Sequence, residues 1–415
     1  MFRYLAAFAG SSHGLARKVA ALVLLAGTSL ILAGPAFADV TSNPDGPVVA
    51  VQDPGNSLDL FWQMNGTPYQ SGQWHYNYLE DGQPYGTANG VSFFRVSDNG
   101  AYSAPSLATD GGSTVIAVRG PDNSLDFYWS PNSYWSTGIP SFKEETVAAA
   151  NTTFSAPQLI VDGNRVDIVA EGGTNTLDFY SVLNGQNFNP STPPTVVGGP
   201  GSTFSAPSVT ANGNGLNIAA VGYEGLLDFY WSSNGGPFSG ANVVNPYGFN
   251  SNFSAPSITS NGESATIVDE GADYSLNMWS NWNGTSQWYF GPGYFTSSGI
   301  WVSTGGPDTA GFVFAAPRAA WTEGELSVVT VGLGGSVDYF RQDTAGLHYQ
   351  QAFGYGTTTY GAQPTITPNN GSVNIQVQDS QYQVFYGWQR LGAPGWGQEQ
   401  WSVENCPYSV CQVSS

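Results

Sequence analysis

Five aspartates in this chain lie where a carboxylate is least expected, inside short apolar runs. They are Asp59 in NSLDLFW (56–62), Asp126 in NSLDFYW (123–129), Asp178 in NTLDFY (175–180), Asp228 in GLLDFYW (225–231) and Asp338 in GSVDYF (335–340). A carboxylate so placed has two uses. It accepts hydrogen bonds from the protein's own turns, or it binds the hydroxyls or cation of a ligand. The structural use is the expectation, because a carboxylate beside apolar strands needs internal partners.

A second set of residues offers recognition chemistry. Just before each of these runs a β-branched stretch ends in a residue that varies mostly among polar types: Gln52 and Asp53, Arg119, Glu171, Asp269 and Glu270, Gln378 and Asp379, with Glu224 after Val221 and Leu333 in the sixth unit. Packing positions vary among apolar residues, so this variation makes Arg119, Glu171, Asp269, Glu270 and Asp379 candidate ligand contacts, with solvated turn tips as the simpler account of them. Trp74, Trp135, Trp282 and Trp288 fall in the least regular segments and offer flat apolar faces to the C–H side of a sugar ring. Trp62, Trp129, Trp231 and Trp279 share one repeated place and read as packing residues.

Hydrolysis needs two suitably separated carboxyls outside the repeat. Glu80, Asp81, Glu144, Glu145, Asp308, Glu323, Glu325 and Glu404 are the available acids, and exposed loop acids are the simpler account of them. Beyond residue 38 the only histidines are His75 and His348, in unlike contexts, and no G-x-S-x-G or H-E-x-x-H motif occurs. No metal centre is expected. Calcium has only the incomplete turns DPGNSLD (53–59) and PDNSLD (121–126) in its favour.

The elements that position these residues repeat. YSAPSLATDGGSTVIAVRGPDNSLDFYWS from Tyr102 is matched from Phe154, Phe204 and Phe253, more loosely from Phe314 and Tyr360, and from Gly46 by a copy without its S-A-P part. The seven units place their central residue at Asp59, Asp126, Asp178, Asp228, Asn277, Asp338 and Gln383. Each unit reads as four strands separated by Gly/Asn/Asp turns, with no helical period. The expected fold is all-β: a seven-bladed β-propeller of four-stranded antiparallel blades. The turn before L-D and the connection before S-A-P then share one face. Because the first unit lacks its S-A-P strand, Tyr408–Val413 is expected to supply it, so that N- and C-terminal segments share the first blade.

Composition agrees with a packed β protein. Gly 53 and Pro 26 supply turns, while 13 Trp, 22 Tyr and 23 Phe supply a core. Residues 1–38 read as a signal peptide: Arg3, Arg17 and Lys18 precede an apolar stretch from Val19 to Ala33, and Ala36-Phe37-Ala38 offers the small residues of a cleavage site. Residues 39–415 then form one exported domain, with no membrane insertion of the mature chain. Cys406 and Cys411, in CPYSVC, are expected to form a disulfide in that compartment. The formal net charge of −20 disfavours nucleic acid as a partner.

S-A-P, a strand, then I-x-V-x-G-x-D/N-x-S/T-L-x-F/Y-Y-W with a later Trp resembles the repeat of the PLL-like and tectonin-like β-propeller lectins. The resemblance spans 46–401 and implies a ring that binds monosaccharides in shallow interblade pockets, usually without metal. This chain has Asp126, Asp178 and Asp228 where those families carry aromatic or basic residues, so no sugar-binding residue transfers by position. The expectation is a secreted, non-catalytic carbohydrate-binding protein. The alternatives are an exported protein-binding scaffold and a glycosidase or sialidase-like propeller. For the last, ATDGGSTV (108–115) resembles an Asp-box but lacks its leading Ser and closing aromatic.

Overall fold

Each L-D-F-Y-W strand divides its side chains between two neighbours. In the computed structural model Leu125, Phe127 and Trp129 pack with Leu159, Val166 and Ile168 of the following repeat. Tyr128 turns the other way, toward Val48, Leu58 and Leu60 of the preceding repeat. Leu177 and Phe179 likewise face forward and Tyr180 backward. Successive strand residues point to opposite faces, and here both faces meet a packed sheet. The strand is therefore apolar throughout.

The structure describes residues 38–43, 46–52, 55–63, 74–75, 78–80, 83–85, 92–97, 100–109, 113–131, 142–213, 215–243, 252, 254–271, 276–282, 288–290, 315–343, 346–358, 362–369, 371–378, 383–391 and 395–402. They form seven antiparallel blade sheets, one per repeat, and one separate two-stranded sheet. Blade 3 shows the plan: Gln158–Asp162 innermost, then Arg165–Glu171, Leu177–Leu183 and Thr195–Gly198 outermost. The second and third strands are Thr114–Arg119 and Leu125–Ser130 in blade 2, and Gly215–Val221 and Leu227–Ser233 in blade 4. Blade 5 has Ser264–Glu270 and Leu276–Trp282, blade 6 has Glu325–Val331 and Val337–Asp343, and blade 7 has Ser372–Gln378 and Gln383–Arg390. Blade 1 is irregular at its outer edge. Both Trp74–His75 and Ser92–Ser97 pair with its third strand, Leu58–Gln63, and a small hairpin of Tyr78–Glu80 with Gln83–Tyr85 lies between them in sequence.

The first strands adjoin one another in sequence order, and that of blade 7 adjoins that of blade 1, so the blades form a closed ring. They line an axial cavity of about 350 Å³, with Ser106, Gln158, Ser208, Ser257, Arg318 and Thr365 among its polar residues. Closure differs from the sequence expectation. The innermost strand of blade 1 is Ala38–Asn43, paired with Gly46–Gln52 directly after it. All described strands of that blade thus come from one stretch of chain, and no C-terminal strand is shared among the described residues. The place assigned to Tyr408–Val413 is already filled; that segment and Cys406 and Cys411 lie outside the described residues.

Strand register corrects two further assignments. Gln378 pairs with Val384 as Arg119 pairs with Leu125, which puts Phe385, not Gln383, at the aspartate place of blade 7. Phe385 is packed there against Phe353, ring centroids 6.0 Å apart. In blade 5 Asp269 pairs with Asn277, so Trp279 stands at the place of Tyr128, one residue before the tryptophan place of Trp129.

Candidate functional site

The turns that precede L-D receive the incoming connections of the next blade. Asn56, Asn123 and Asn175 each hold a left-handed φ, 62°, 56° and 56°, which asparagine tolerates. That geometry aims the Asn123 carbonyl at the N–H groups of Thr152 and Thr153, 3.0 and 2.9 Å away. The Asn175 carbonyl likewise accepts from Ser202 and Thr203, at 2.9 and 3.0 Å, and the Asn56 carbonyl accepts from Ala101 at 2.9 Å. The turn and the connection therefore share one face, and backbone carbonyls join them.

The serine of S-A-P works within its own blade. Its Oγ accepts the N–H of the last residue of the second strand, Ser103 from Arg119 at 3.0 Å, Ser155 from Glu171 at 3.1 Å and Ser254 from Glu270 at 3.0 Å. The serine three residues later links adjacent blades. Ser106 Oγ accepts the Leu159 N–H at 3.0 Å, and Ser208 Oγ accepts that of Ile258 at 3.1 Å.

The repeated aspartates are turned toward the preceding blade and away from solvent: Asp59, Asp126, Asp178 and Asp338 are all buried. Their partners are local hydroxyls. Ser124 Oγ donates to Asp126 at 3.0 Å, and Asp338 accepts from Ser336 at 3.0 Å and from Tyr349 at 3.2 Å. Burial pushes Asp126 and Asp228 up to about 6. Blade 5 moves the acid across the ladder: Asn277 replaces it on the third strand, and Asp269, its cross-strand partner, accepts from Asn277 Nδ2 at 2.7 Å and Trp279 Nε1 at 3.3 Å. Asp269 is 0% exposed and burial raises it to about 7, so this ligand candidate lies with the buried acids of the repeat. Glu270 is also enclosed.

Arg119 and Glu171 lie together at the junction of blades 2 and 3. Arg119 Nη2 donates to the Tyr102 carbonyl at 2.6 Å and Nη1 to the Phe154 carbonyl at 3.4 Å, spanning the connections that enter the two blades. Burial lowers its pKa, and the nearby Glu171 carboxylate opposes that shift. Glu171 Oε1 accepts from Asn175 Nδ2 at 2.7 Å, while Oε2 has no hydrogen-bond partner among the described residues. Burial carries Glu171 up to about 7 against the pull of Asn175 and Arg119. Beside them Phe154, 40% exposed, lies near Gly173. One groove thus offers an aromatic face, a guanidinium edge and a partly buried carboxylate. Phe204, 49% exposed, repeats the aromatic feature in blade 4, 6.4 Å from Tyr223.

The tryptophan candidates fare differently. Trp288 packs edge-on against Phe229, centroids 4.8 Å apart, in the core between blades 4 and 5. Trp74 and Trp282 are placed by backbone alone, in strands of blades 1 and 5, while Trp135 and Asp379 lie outside the described residues. The exposed aromatics preceding S-A-P were not among the sequence candidates. Their signal was present, since Tyr102, Phe154, Phe204, Phe253, Phe314 and Tyr360 all hold that place. Among the hydrolytic candidates, Glu145 accepts from Trp129 Nε1 at 2.9 Å and from the Phe188 N–H at 3.0 Å, and Glu144 accepts from Tyr128 at 3.2 Å. Glu325 pairs with Arg341 at 3.2 Å. Among the described residues no group of three His, Cys, Asp or Glu is placed to hold a metal ion.

No protein-family profile and no curated protein sequence matches the chain. Solved structures do. The BP39L lectin from Burkholderia pseudomallei superposes with a TM-score of 0.65 at 15% identity, covering 88% of this chain and 97% of that one. Looser likenesses include a mutant of the Aleuria aurantia lectin in complex with α-methyl-L-fucoside, with a TM-score of 0.48 at 11% identity over 91% of this chain and 98% of that one. Another is the β-propeller domain of the Trilobed protease from Pyrococcus furiosus, with a TM-score of 0.45 at 10% identity over 87% and 97%. The chain is a seven-bladed β-propeller, similar in fold to the BP39L lectin.

Proposed function

We propose that this chain is an exported, non-catalytic carbohydrate-binding protein whose sites lie between blades on the face where S-A-P connections and L-D turns meet. The observation that carries the reading is the blade 2–blade 3 groove. Phe154 presents a ring to the C–H face of a sugar, Glu171 Oε2 is available to accept from its hydroxyls, and Arg119 borders the same groove. The fold shared with a lectin supports this reading. Export rests on residues 1–38 alone, where a basic start, an apolar stretch and Ala36-Phe37-Ala38 read as a cleaved signal peptide. A propeller hydrolase would need a free acid pair, and of the adjacent Glu144 and Glu145 the second is held at both oxygens, by Trp129 Nε1 and the Phe188 N–H.

The test is a glycan array on residues 39–415, with and without chelator, run beside a panel of chromogenic glycosides. Saturable, chelator-independent binding without turnover is expected. Turnover lost on substitution of a single Asp or Glu would contradict the reading, and a blank array would favour a protein-binding scaffold.

A further inference from the structure

Seven similar blades would give seven similar sites, but one position decides otherwise. The last residue of the second strand faces leucine or valine of the third in every blade, so the seven residues there are structurally equivalent: Gln52, Arg119, Glu171, Val221, Glu270, Val331 and Gln378. This position touches the junctions on both sides of its blade, and its side chain can cross the groove to the next blade. Gln52 Nε2 donates across it to the Ala101 carbonyl at 2.7 Å, Arg119 to that of Phe154, and Gln378 Nε2 to that of Gln52 at 3.2 Å.

Most of these residues are closed to a ligand. Val221 and Val331 carry no polar atom beyond the backbone and are buried, and Glu270 and Gln378 are buried as well. Gln52 is partly exposed but uncharged, and its amide nitrogen is spent on Asn56 and Ala101. Only Arg119 and Glu171 combine a charged group with partial exposure, and they meet at one junction.

We infer, building on the carbohydrate reading, that the ring carries one dominant sugar site, between blades 2 and 3, and that Glu171 selects a neutral sugar there. Glu171 Oε2 accepts from ring hydroxyls while Phe154 stacks on the opposite side. Arg119 is a positioning residue, holding the Phe154 and Tyr102 connections at a fixed separation. The same free carboxylate oxygen, in a chain of net charge −20, disfavours a sugar acid. In blade 4 Val221 takes the place of Glu171, so the aromatic pair of Phe204 and Tyr223 has no carboxylate beneath it on its own blade.

The experiment is calorimetric titration of residues 39–415 with methyl glycosides of neutral hexoses and deoxyhexoses and of N-acetylneuraminic acid. Glu171→Gln and Phe154→Ala are titrated alongside. Glu171→Gln retains an oxygen for the Asn175 N–H, and the melting curve of each variant verifies its fold. One site per chain is expected for a neutral glycoside, with affinity at least tenfold weaker in both variants. Several equal sites, most of them surviving Glu171→Gln, would overturn this inference and leave the carbohydrate reading intact. So would tighter binding of N-acetylneuraminic acid. Binding by none of the glycosides would overturn both.

Discussion

Asp126, Asp178, Asp228 and Asp338 occupy the space that a Cβ would need on Gly120, Gly172, Gly222 and Gly332, the residues that follow the second strands. Glycine and aspartate are thus one feature: the bare Cα admits the carboxylate, and in blades 2, 3 and 6 the carboxylate meets a hydroxyl of its own turn, from Ser124, Thr176 and Ser336. The substitution Gly172→Ala puts a methyl group against Asp178 Oδ2 and Thr176 Oγ1, at a residue whose φ alanine accepts. It should cost about 1–3 kcal/mol in denaturant unfolding, and combining it with Asp178→Gly should recover part of the loss. An unchanged midpoint for Gly172→Ala would refute this packing role. That the aspartate is enclosed was legible in its apolar setting. The tie between blades is made by the Asn carbonyl of the turn, which the left-handed φ at that asparagine aims at the incoming connection. Asp269 was not legible as a member of the series, because its kinship with the repeated acids runs through cross-strand pairing with Asn277 and not through sequence spacing.

At the level of strands, S-A-P and L-D-F-Y-W were sufficient to place the four elements of a blade, because their punctuation by Gly, Asn and Asp is regular. One-residue shifts were not visible. Motif spacing puts Gln383 at the aspartate place of blade 7 and Trp279 at the tryptophan place of blade 5, and in each the ladder moves the assignment by one or two residues. Closure eluded the motif for a related reason. The first strand of blade 1, ADVTSN, carries no S-A-P signature, yet it pairs along its whole length from Ala38↔Val51 to Asn43↔Gly46. Its backbone pairing, rather than its motif, makes it the innermost strand. A chain that starts at Gly46 leaves the inner edge of blade 1 unpaired and should melt at lower temperature, with a broader transition, than one that starts at Asp39. Identical calorimetric transitions would contradict the assigned closure.

Across the whole ring, the buried acids give stability a pH dependence. Asp126 and Asp228 stand near 6 and Glu171 and Asp269 near 7, all raised mainly by burial. A carboxyl with a higher pKa folded than unfolded binds protons more tightly when folded, so the folded state gains as pH falls. The penalty is full above about pH 8, shrinks steadily as pH falls through 7 and 6, and is gone below the unfolded value of about 4. The melting temperature should therefore rise from pH 8 to pH 5 in calorimetry, and Asp228→Asn should flatten the rise. A fall over that interval would contradict the burial of these acids.

The ring's face is where fold and function meet, and a crystal of residues 39–415 soaked with a neutral sugar bound on the array examines it. The account predicts sugar density over the Phe154 ring, with hydroxyls within hydrogen-bond distance of Glu171 Oε2. Density confined to the axial cavity, or to junctions bordered by Val221 and Val331, would contradict it.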